Sequence, residues 1–187
     1  LWKIGLKRNK AVTATERHAI TVQFEIVFRF AEKTDLPKLE WNGEYTHFRR
    51  VFQRAYEDQL TGKRLMLLAD MGGVPIGQIF IQLDSYENIF VQGGKRAYFY
   101  SLRVMEMFRG HGIGTALIHE AEAILLDRGY ESTSIAAAKD NLGARRLYER
   151  LGYKVISEDA GRWQYIDHEG RTRHVVEPCW ILEKNFR

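Results

Sequence analysis

The sequence predicts an α/β domain of the mixed α+β kind: a central mixed, mainly antiparallel sheet flanked by helices. Three observations carry this reading. Stretches of period-two and period-3.6 hydrophobicity are interleaved along the chain. The strand stretches between residues 64 and 105 follow one another as hairpin-joined neighbours. The later strand stretches are separated by amphipathic helices, which places helices against a sheet.

Each element has its own signal. Val22, Phe24, Ile26, Phe28 and Phe30 recur at a spacing of two, so 22–30 reads as a strand. Thr34-Asp35 before Leu36-Pro37 reads as a helix start, with proline in the first turn. Residues 45–60 form a second helical stretch, with Phe48, Val51, Phe52, Ala55 and Tyr56 on one face. Apolar runs at 64–70 and 75–83 flank Gly72-Gly73 and predict a hairpin. Residues 88–96 are polar and read as a loop. In 97–105 alternation places Tyr98, Tyr100, Leu102 and Val104 on one face of a strand. A helix over 112–127 buries Ile113, Leu117, Ile124 and Leu125 and stops at Gly129. A strand over 132–138, a helix over 141–151 and a strand over 153–157 follow. A final hairpin pairs 162–166 with 174–182.

Composition sets the boundaries of function. Of 28 Lys and Arg and 24 Asp and Glu in 187 residues, five basic and one acidic residue fall in 1–19, leaving 23 of each sign in 20–187. The basic pI of about 9.2 is thus a property of an N-terminal arm, 1–19, and the domain over 20–187 is neutral. A neutral domain argues against a broad nucleic-acid binder. No apolar run approaches the ~18 residues of a membrane span, and 1–19 lacks a continuous apolar core of a secretory leader. Cys179 is the only cysteine, which excludes an intramolecular disulfide and suits a reducing, cytoplasmic setting. The six histidines show neither H-x-x-x-H nor H-E-x-x-H spacing, so no metal is expected.

The chemistry concentrates after the 97–105 strand. Arg109-Gly110-His111-Gly112-Ile113-Gly114-Thr115 opens the 112–127 helix. Alternating glycines let backbone amides converge where the helix N-terminus adds partial positive charge, a geometry for phosphate or pyrophosphate. The spacing fits neither G-x-x-x-x-G-K-[ST] nor G-x-G-x-x-G. Arg109, Gly112 and Gly114 do match [QR]-x-x-G-x-[GA], the coenzyme A loop of the GNAT superfamily of N-acetyltransferases. The segment 27 residues beyond Gly114, Asn141-Leu142-Gly143-Ala144-Arg145-Arg146-Leu147-Tyr148-Glu149-Arg150-Leu151-Gly152-Tyr153, is similar to that superfamily's N-x-x-A-x-x-L-Y-x-[KR]-x-G-F/Y. The two motifs, in this order with a strand between them, make the chain resemble a GNAT acetyltransferase over 97–155. Glu106-Met107 departs from the Pro-Glu that many relatives carry, which puts any base proposed there in doubt.

The resemblance implies transfer of an acetyl group from acetyl-CoA to a primary amine by direct attack. It places the pyrophosphate on the amides of Arg109, Gly110, His111, Gly112, Ile113, Gly114 and Thr115. It sets the pantetheine arm along Leu102, Arg103 and Val104, with the Val104 N–H polarising the thioester carbonyl. Tyr148 corresponds to a frequent general acid for the leaving thiolate; packing on the helix's apolar stripe is its competing role. Asn141 and Ala144 fall at cofactor contacts, and Asn141 equally suits a helix N-cap. Arg145 and Arg146 read either as phosphate contacts or as a solvated face. The base is open among Glu25, Asp84, Glu87, Tyr98, Tyr100 and Glu106.

Relatives bind acceptors with their first two helices and two loops, here 36–60, 84–95 and 161–174. Trp41, Tyr45, His47, Phe48 and Tyr56 with Glu40 and Glu44 suggest a cage for a cationic amine, with helix–sheet packing the stronger role for Phe48 and Tyr56, so a small molecule or free amino group is the expected acceptor. A protein lysine or N-terminal acceptor and a silent acyl-CoA-sensing module stand as alternatives. Neither a membrane nor a nucleic acid is expected as a partner, and a homodimer is compatible with the sequence.

Overall fold

A computed structural model describes residues 23–83 and 95–186. The 1–19 arm, Val22 and the candidate bases Asp84 and Glu87 lie outside the described residues, as does most of the 88–96 loop. The ordered elements are β1 (Val27–Phe30), a 3-10 segment (Lys33–Gly43), a 3-10 turn (Thr46–Phe48), α1 (Arg49–Leu60), β2 (Arg64–Met71), β3 (Val74–Gln82) and β4 (Arg96–Val104). There follow a 3-10 turn (Glu106–Phe108), α2 (Ile113–Asp127), β5 (Ser132–Ala138), α3 (Leu142–Arg150), β6 (Lys154–Asp159), β7 (Arg162–Ile166), β8 (Thr172–Val176) and β9 (Cys179–Asn185). Among the described residues, no helix is long and apolar enough to cross a membrane.

Seven strands form one sheet in the order β1-β2-β3-β4-β5-β9-β6, while β7 and β8 pair apart as a hairpin. All pairings in the large sheet are antiparallel except β4 with β5. The near-continuous apolar run of β2 has its reason here: Leu65, Leu67 and Ala69 face one buried layer, and Met66 and Leu68 the other. The first layer holds Ile113, Leu117, Ile118 and Leu125 of α2; the second holds Phe52 and Ala55 of α1. Burying a side chain such as Phe52 contributes about 1.5–3 kcal/mol, so the two layers hold α1 and α2 on opposite faces.

The structure corrects four expectations. The first strand is only Val27–Phe30. Phe24 is half exposed, so the spacing of two runs past the paired segment. The first helix is a 3-10 segment, ended where Trp41 (φ 41°) and Asn42 (φ 56°) turn left-handed. The last hairpin does not run through 174–182: β8 ends at Val176 and β9 starts at Cys179. Pro178 lies between them, and proline cannot donate to a ladder.

The fourth correction shapes the site. Phe80 pairs with Tyr100 but Gln78 pairs with Arg103, so Ser101 and Leu102 together oppose Ile79. This is a β-bulge, with Ser101 at φ 52°. Tyr98 and Tyr100 precede the bulge and Leu102 and Val104 follow it, so the four do not share a face. Tyr100 packs in the α1 layer, whereas Leu102 and Val104 pack in the α2 layer. Arg103 takes the α1 side instead.

Candidate active site

The end of β4 is where the two sequence motifs meet. The Met105 N–H donates to the Ile76 carbonyl at 2.9 Å. Backbone groups alternate sides along a strand, so those of Arg103 and Met105 face β3 and those of Val104 face the opposite edge. On that edge the sheet has opened. β4 and β5 pair only from Arg96–Ser132 to Phe99–Ile135; beyond that point Ala136, Ala137 and Ala138 keep their ladder with β9 but line a cleft on the β4 side.

Past β4 the chain makes its 3-10 turn and reaches the glycines. Arg109 Nε donates to the Val104 carbonyl at 3.0 Å and ties the loop to the strand end. His111 is exposed, its Nδ1 lying 2.9 Å from the Arg109 carbonyl. Gly112 is the N-cap of α2 at φ 83°, with no side chain capping the helix. A side chain there meets open space, so the requirement for glycine is conformational. The first-turn amides of Ile113, Gly114 and Thr115 have no partner within the helix. They face outward beside the partial positive charge of the helix end, a fit for a phosphate-bearing group.

The cleft has a volume of about 1020 Å³. It runs from the Asn141 N-cap and Ala144 and Tyr148 of α3, past Leu102 and Arg103, to Phe48 in the turn before α1 and Trp163 of β7. Arg109–Thr115 and Val104 are not part of its lining. Asn141 Oδ1 accepts the Ala144 N–H at 3.0 Å, so the capping role holds. Arg145 pairs with Glu149 at 2.8 Å and stacks over Trp180, and Arg146 is exposed. Tyr148 is 5% exposed, and its ring packs in the α2 layer. Its hydroxyl has no hydrogen-bond partner among the described residues, and burial holds its proton well above the usual phenol range.

The α1 end of the cleft differs from the cage the sequence suggested. Trp41 is buried and donates from Nε1 to the Pro75 carbonyl at 3.0 Å. Glu40 is tied to Arg49 and Thr46. Two of the rings that remain already hold a cation: the Arg103 guanidinium carbon lies 4.3 Å from the Tyr45 ring centre and 4.8 Å from that of Phe48. Trp163 and Tyr165 of the β7–β8 hairpin also pack against Phe48. Glu25 and Glu106 are exposed and do not line the cleft, whereas Tyr98 and Tyr100 do. Tyr100 accepts from Arg64 at 2.8 Å. The cleft also receives three carboxylates that the sequence did not single out, Glu57, Asp159 and Glu177. Glu57 comes from α1; Asp159 and Glu177 each stand at a strand end beside the hairpin's entry, a position set by tertiary pairing rather than by a motif.

Cys179 is buried on the same wall, and burial pushes its thiol up, away from the thiolate a nucleophile needs. Asp167, His168 and Glu169 at the β7–β8 turn offer ligand atoms within 4.8 Å of one another. Asp167 is already saturated, accepting from the Glu169 and Arg171 amides and from the Arg171 and Arg173 side chains.

A model of the acetyltransferase (GNAT) family matches residues 30–153. The chain belongs to the GNAT acetyltransferase family. Its reaction class is therefore N-acetyl transfer from acetyl-CoA. The fold of this GNAT domain is shared by solved structures at low identity. Arabidopsis thaliana NAA60 in complex with acetyl-CoA is 20% identical, with a TM-score of 0.65 over 87% of this chain and 99% of that one. The PaiA N-acetyltransferase of Thermoplasma acidophilum in complex with coenzyme A is 19% identical, with a TM-score of 0.64 over 87% and 99%. An IAA acetyltransferase of Bacillus cereus is 17% identical, with a TM-score of 0.60 over 87% and 100%. In this GNAT domain the cleft brings Leu102, Arg103, Asn141, Ala144 and Tyr148 together. The glycine turn joins them through the Arg109–Val104 hydrogen bond.

Proposed function

We propose that this GNAT domain acetylates the primary amine of a small molecule by direct attack on the acetyl-CoA thioester. The observation that carries the proposal is the cleft joining the Tyr148 hydroxyl, without a partner among the described residues, to a polar acceptor end at α1 and the β7–β8 hairpin. The pyrophosphate is held by the amides of Arg109–Thr115, and the pantetheine arm lies along Leu102–Val104 beside Asn141 and Ala144. The Val104 N–H, turned toward the open edge, supports the carbonyl oxygen as negative charge develops on it.

The neutral amine attacks the carbonyl carbon through a tetrahedral intermediate. A C–N bond forms and the C–S bond breaks, and the thiolate takes the Tyr148 proton. The amine's own proton leaves to a cleft carboxylate, Asp159 or Glu177, by way of water. Burial keeps the Tyr148 proton in place until the thiolate appears, while making the phenol a weaker acid than the free side chain. The hairpin, with Trp163 and Tyr165 over Phe48, narrows the acceptor end and favours a small molecule over a protein chain.

The test is an acceptor panel with acetyl-CoA, read as free thiol release. Turnover of small amines and not of lysine-bearing proteins supports the reading. Acetyl-CoA binding with no transfer to any amine overturns it and leaves a sensing module.

A further inference from the structure

The acceptor end of the cleft is rich in arginine. Arg50, Arg54, Arg64, Arg103 and Arg162 line it, against Glu57, Asp159 and Glu177. Arg54 and Arg64 are engaged by Asp58. Arg50, Arg103 and Arg162 make no ion pair among the described residues. Arg103 is the most constrained of the three. Its guanidinium is stacked on Tyr45 and Phe48, and its Nη1 is buried with no hydrogen-bond partner. A buried donor left without an acceptor costs free energy, and so rare a group asks for a partner that the protein does not supply. Burial also lowers the Arg103 pKa, which marks the cost of holding its charge there.

We infer that Arg103 holds the carboxylate of the acceptor, so that the amine acetylated here belongs to a free amino acid. This rests on the proposed acetylation of a small amine in the same cleft. The planar guanidinium fork matches a carboxylate bidentately, and the rings fix its orientation in advance. Arg50 and Arg162 add positive charge at the mouth. Glu44 and Glu177 both lie within electrostatic reach of Arg103, but of the two only Glu177 lines the cleft, and its side chain has no hydrogen bond among the described residues. It receives the ammonium group while Arg103 takes the carboxylate. The two charges of an amino acid thus meet two complementary groups, whereas a simple amine leaves Arg103 unanswered.

The test compares kcat/KM for free amino acids with that for their carboxamides, in the full-length protein with saturating acetyl-CoA. The expected preference for the carboxylate form is about 10- to 100-fold, as for a charged hydrogen-bonded pair. Arg103→Gln collapses that ratio toward one. Arg103→Lys keeps the charge but not the fork and leaves an intermediate ratio, which guards against reading a misfolded variant. A ratio near one in the wild type, an unchanged ratio in Arg103→Gln, or preferred turnover of a phosphate-bearing amine overturns the inference. If no amine is acetylated, the proposed activity fails separately. The carboxylate site is then decided by titrating N-acetyl amino acids and their carboxamides into coenzyme A-loaded protein. Binding that needs both the carboxylate and Arg103 sustains it, and absence of such binding overturns it.

Discussion

Removing one oxygen from Tyr148 separates its two roles. The ring packs in the α2 layer near Tyr153, with centroids 6.2 Å apart, and stays in Tyr148→Phe. The hydroxyl has no partner among the described residues, so its loss leaves no orphaned group, and the change in stability should stay within about 0.5 kcal/mol. A missing general acid costs roughly 10²- to 10⁴-fold, or about 3–5.5 kcal/mol in barrier. The assay is steady-state thiol release at saturating acceptor, with the acetyl-CoA Kd and Tm measured alongside. The expected outcome is that loss in kcat, with Kd and Tm held. The pH profile adds a sign. Burial raises this phenol above its ordinary value near 10, so the donor form persists through pH 10 and the wild-type kcat shows no alkaline fall below it. Near wild-type kcat in Tyr148→Phe refutes the acid role, and a loss that follows a weaker Kd assigns Tyr148 to cofactor packing.

Three further outcomes follow from the geometry. Gly161 sits at φ 61°, and a Cβ there runs into the Glu177 backbone. Gly161→Ala should displace the β7–β8 hairpin and raise the acceptor KM at least tenfold with little change in acetyl-CoA Kd; an unchanged KM counts against the hairpin's role. Buried Asp35 accepts from Arg29 at 2.6 and 2.9 Å and from the Glu32 amide at 2.9 Å. Arg29 lowers the Asp35 pKa to about 2 from an ordinary 3.8. Because the folded value is depressed, this stabilisation is complete above pH 3.8 and fades as pH falls through 2. Asp35→Asn should lower stability at pH 7 by about 2 kcal/mol in urea melts and flatten the acid limb, and an unaltered acid limb refutes the linkage. Deleting Ser101 should leave Arg103 opposite Gln78 while removing the bulge. Its left-handed backbone costs about 1 kcal/mol, so Tm should hold or rise while acetyl-CoA Kd weakens at least tenfold. An unchanged Kd means the bulge does not form the cofactor gap.

What the sequence made legible was local. The Gly72-Gly73 hairpin, the 132–138 strand and the start of α2 at Gly112 were all readable from neighbouring residues, because turn chemistry and helix capping act over a few positions. The Asn141 cap was readable for the same reason. Pro178 was a visible signal for the break between β8 and β9, outweighed by the apolar run around it. The bulge had no such signal. Serine is not a residue that announces a left-handed backbone, and the extra position exists only relative to the register of β3. The alternation in β4 therefore suggested one face for Tyr98 through Val104. The same register error concealed Arg103, which the sequence placed with the cofactor arm and the structure turns toward Tyr45 and Phe48. Asp159 and Glu177 were silent because each reaches the cleft from a strand end fixed by pairing with distant residues.

The two halves of the site depend on one inserted residue. Without the bulge, β4 would continue its ladder along β5 beyond Phe99 and Ile135, and no edge would be left for a pantetheine arm. With it, β4 bends away, the Val104 N–H faces the opening, and Arg103 emerges on the α1 side one residue earlier. Val104 and Arg103 are adjacent in sequence, and consecutive Cα atoms are about 3.8 Å apart. The group proposed to meet the thioester oxygen and the group proposed to meet the acceptor's carboxylate are thus fixed to the same short stretch of backbone. A shift in the cofactor arm therefore carries the acceptor's anchor with it, so the separation of amine and carboxylate in the acceptor is read by one segment of β4.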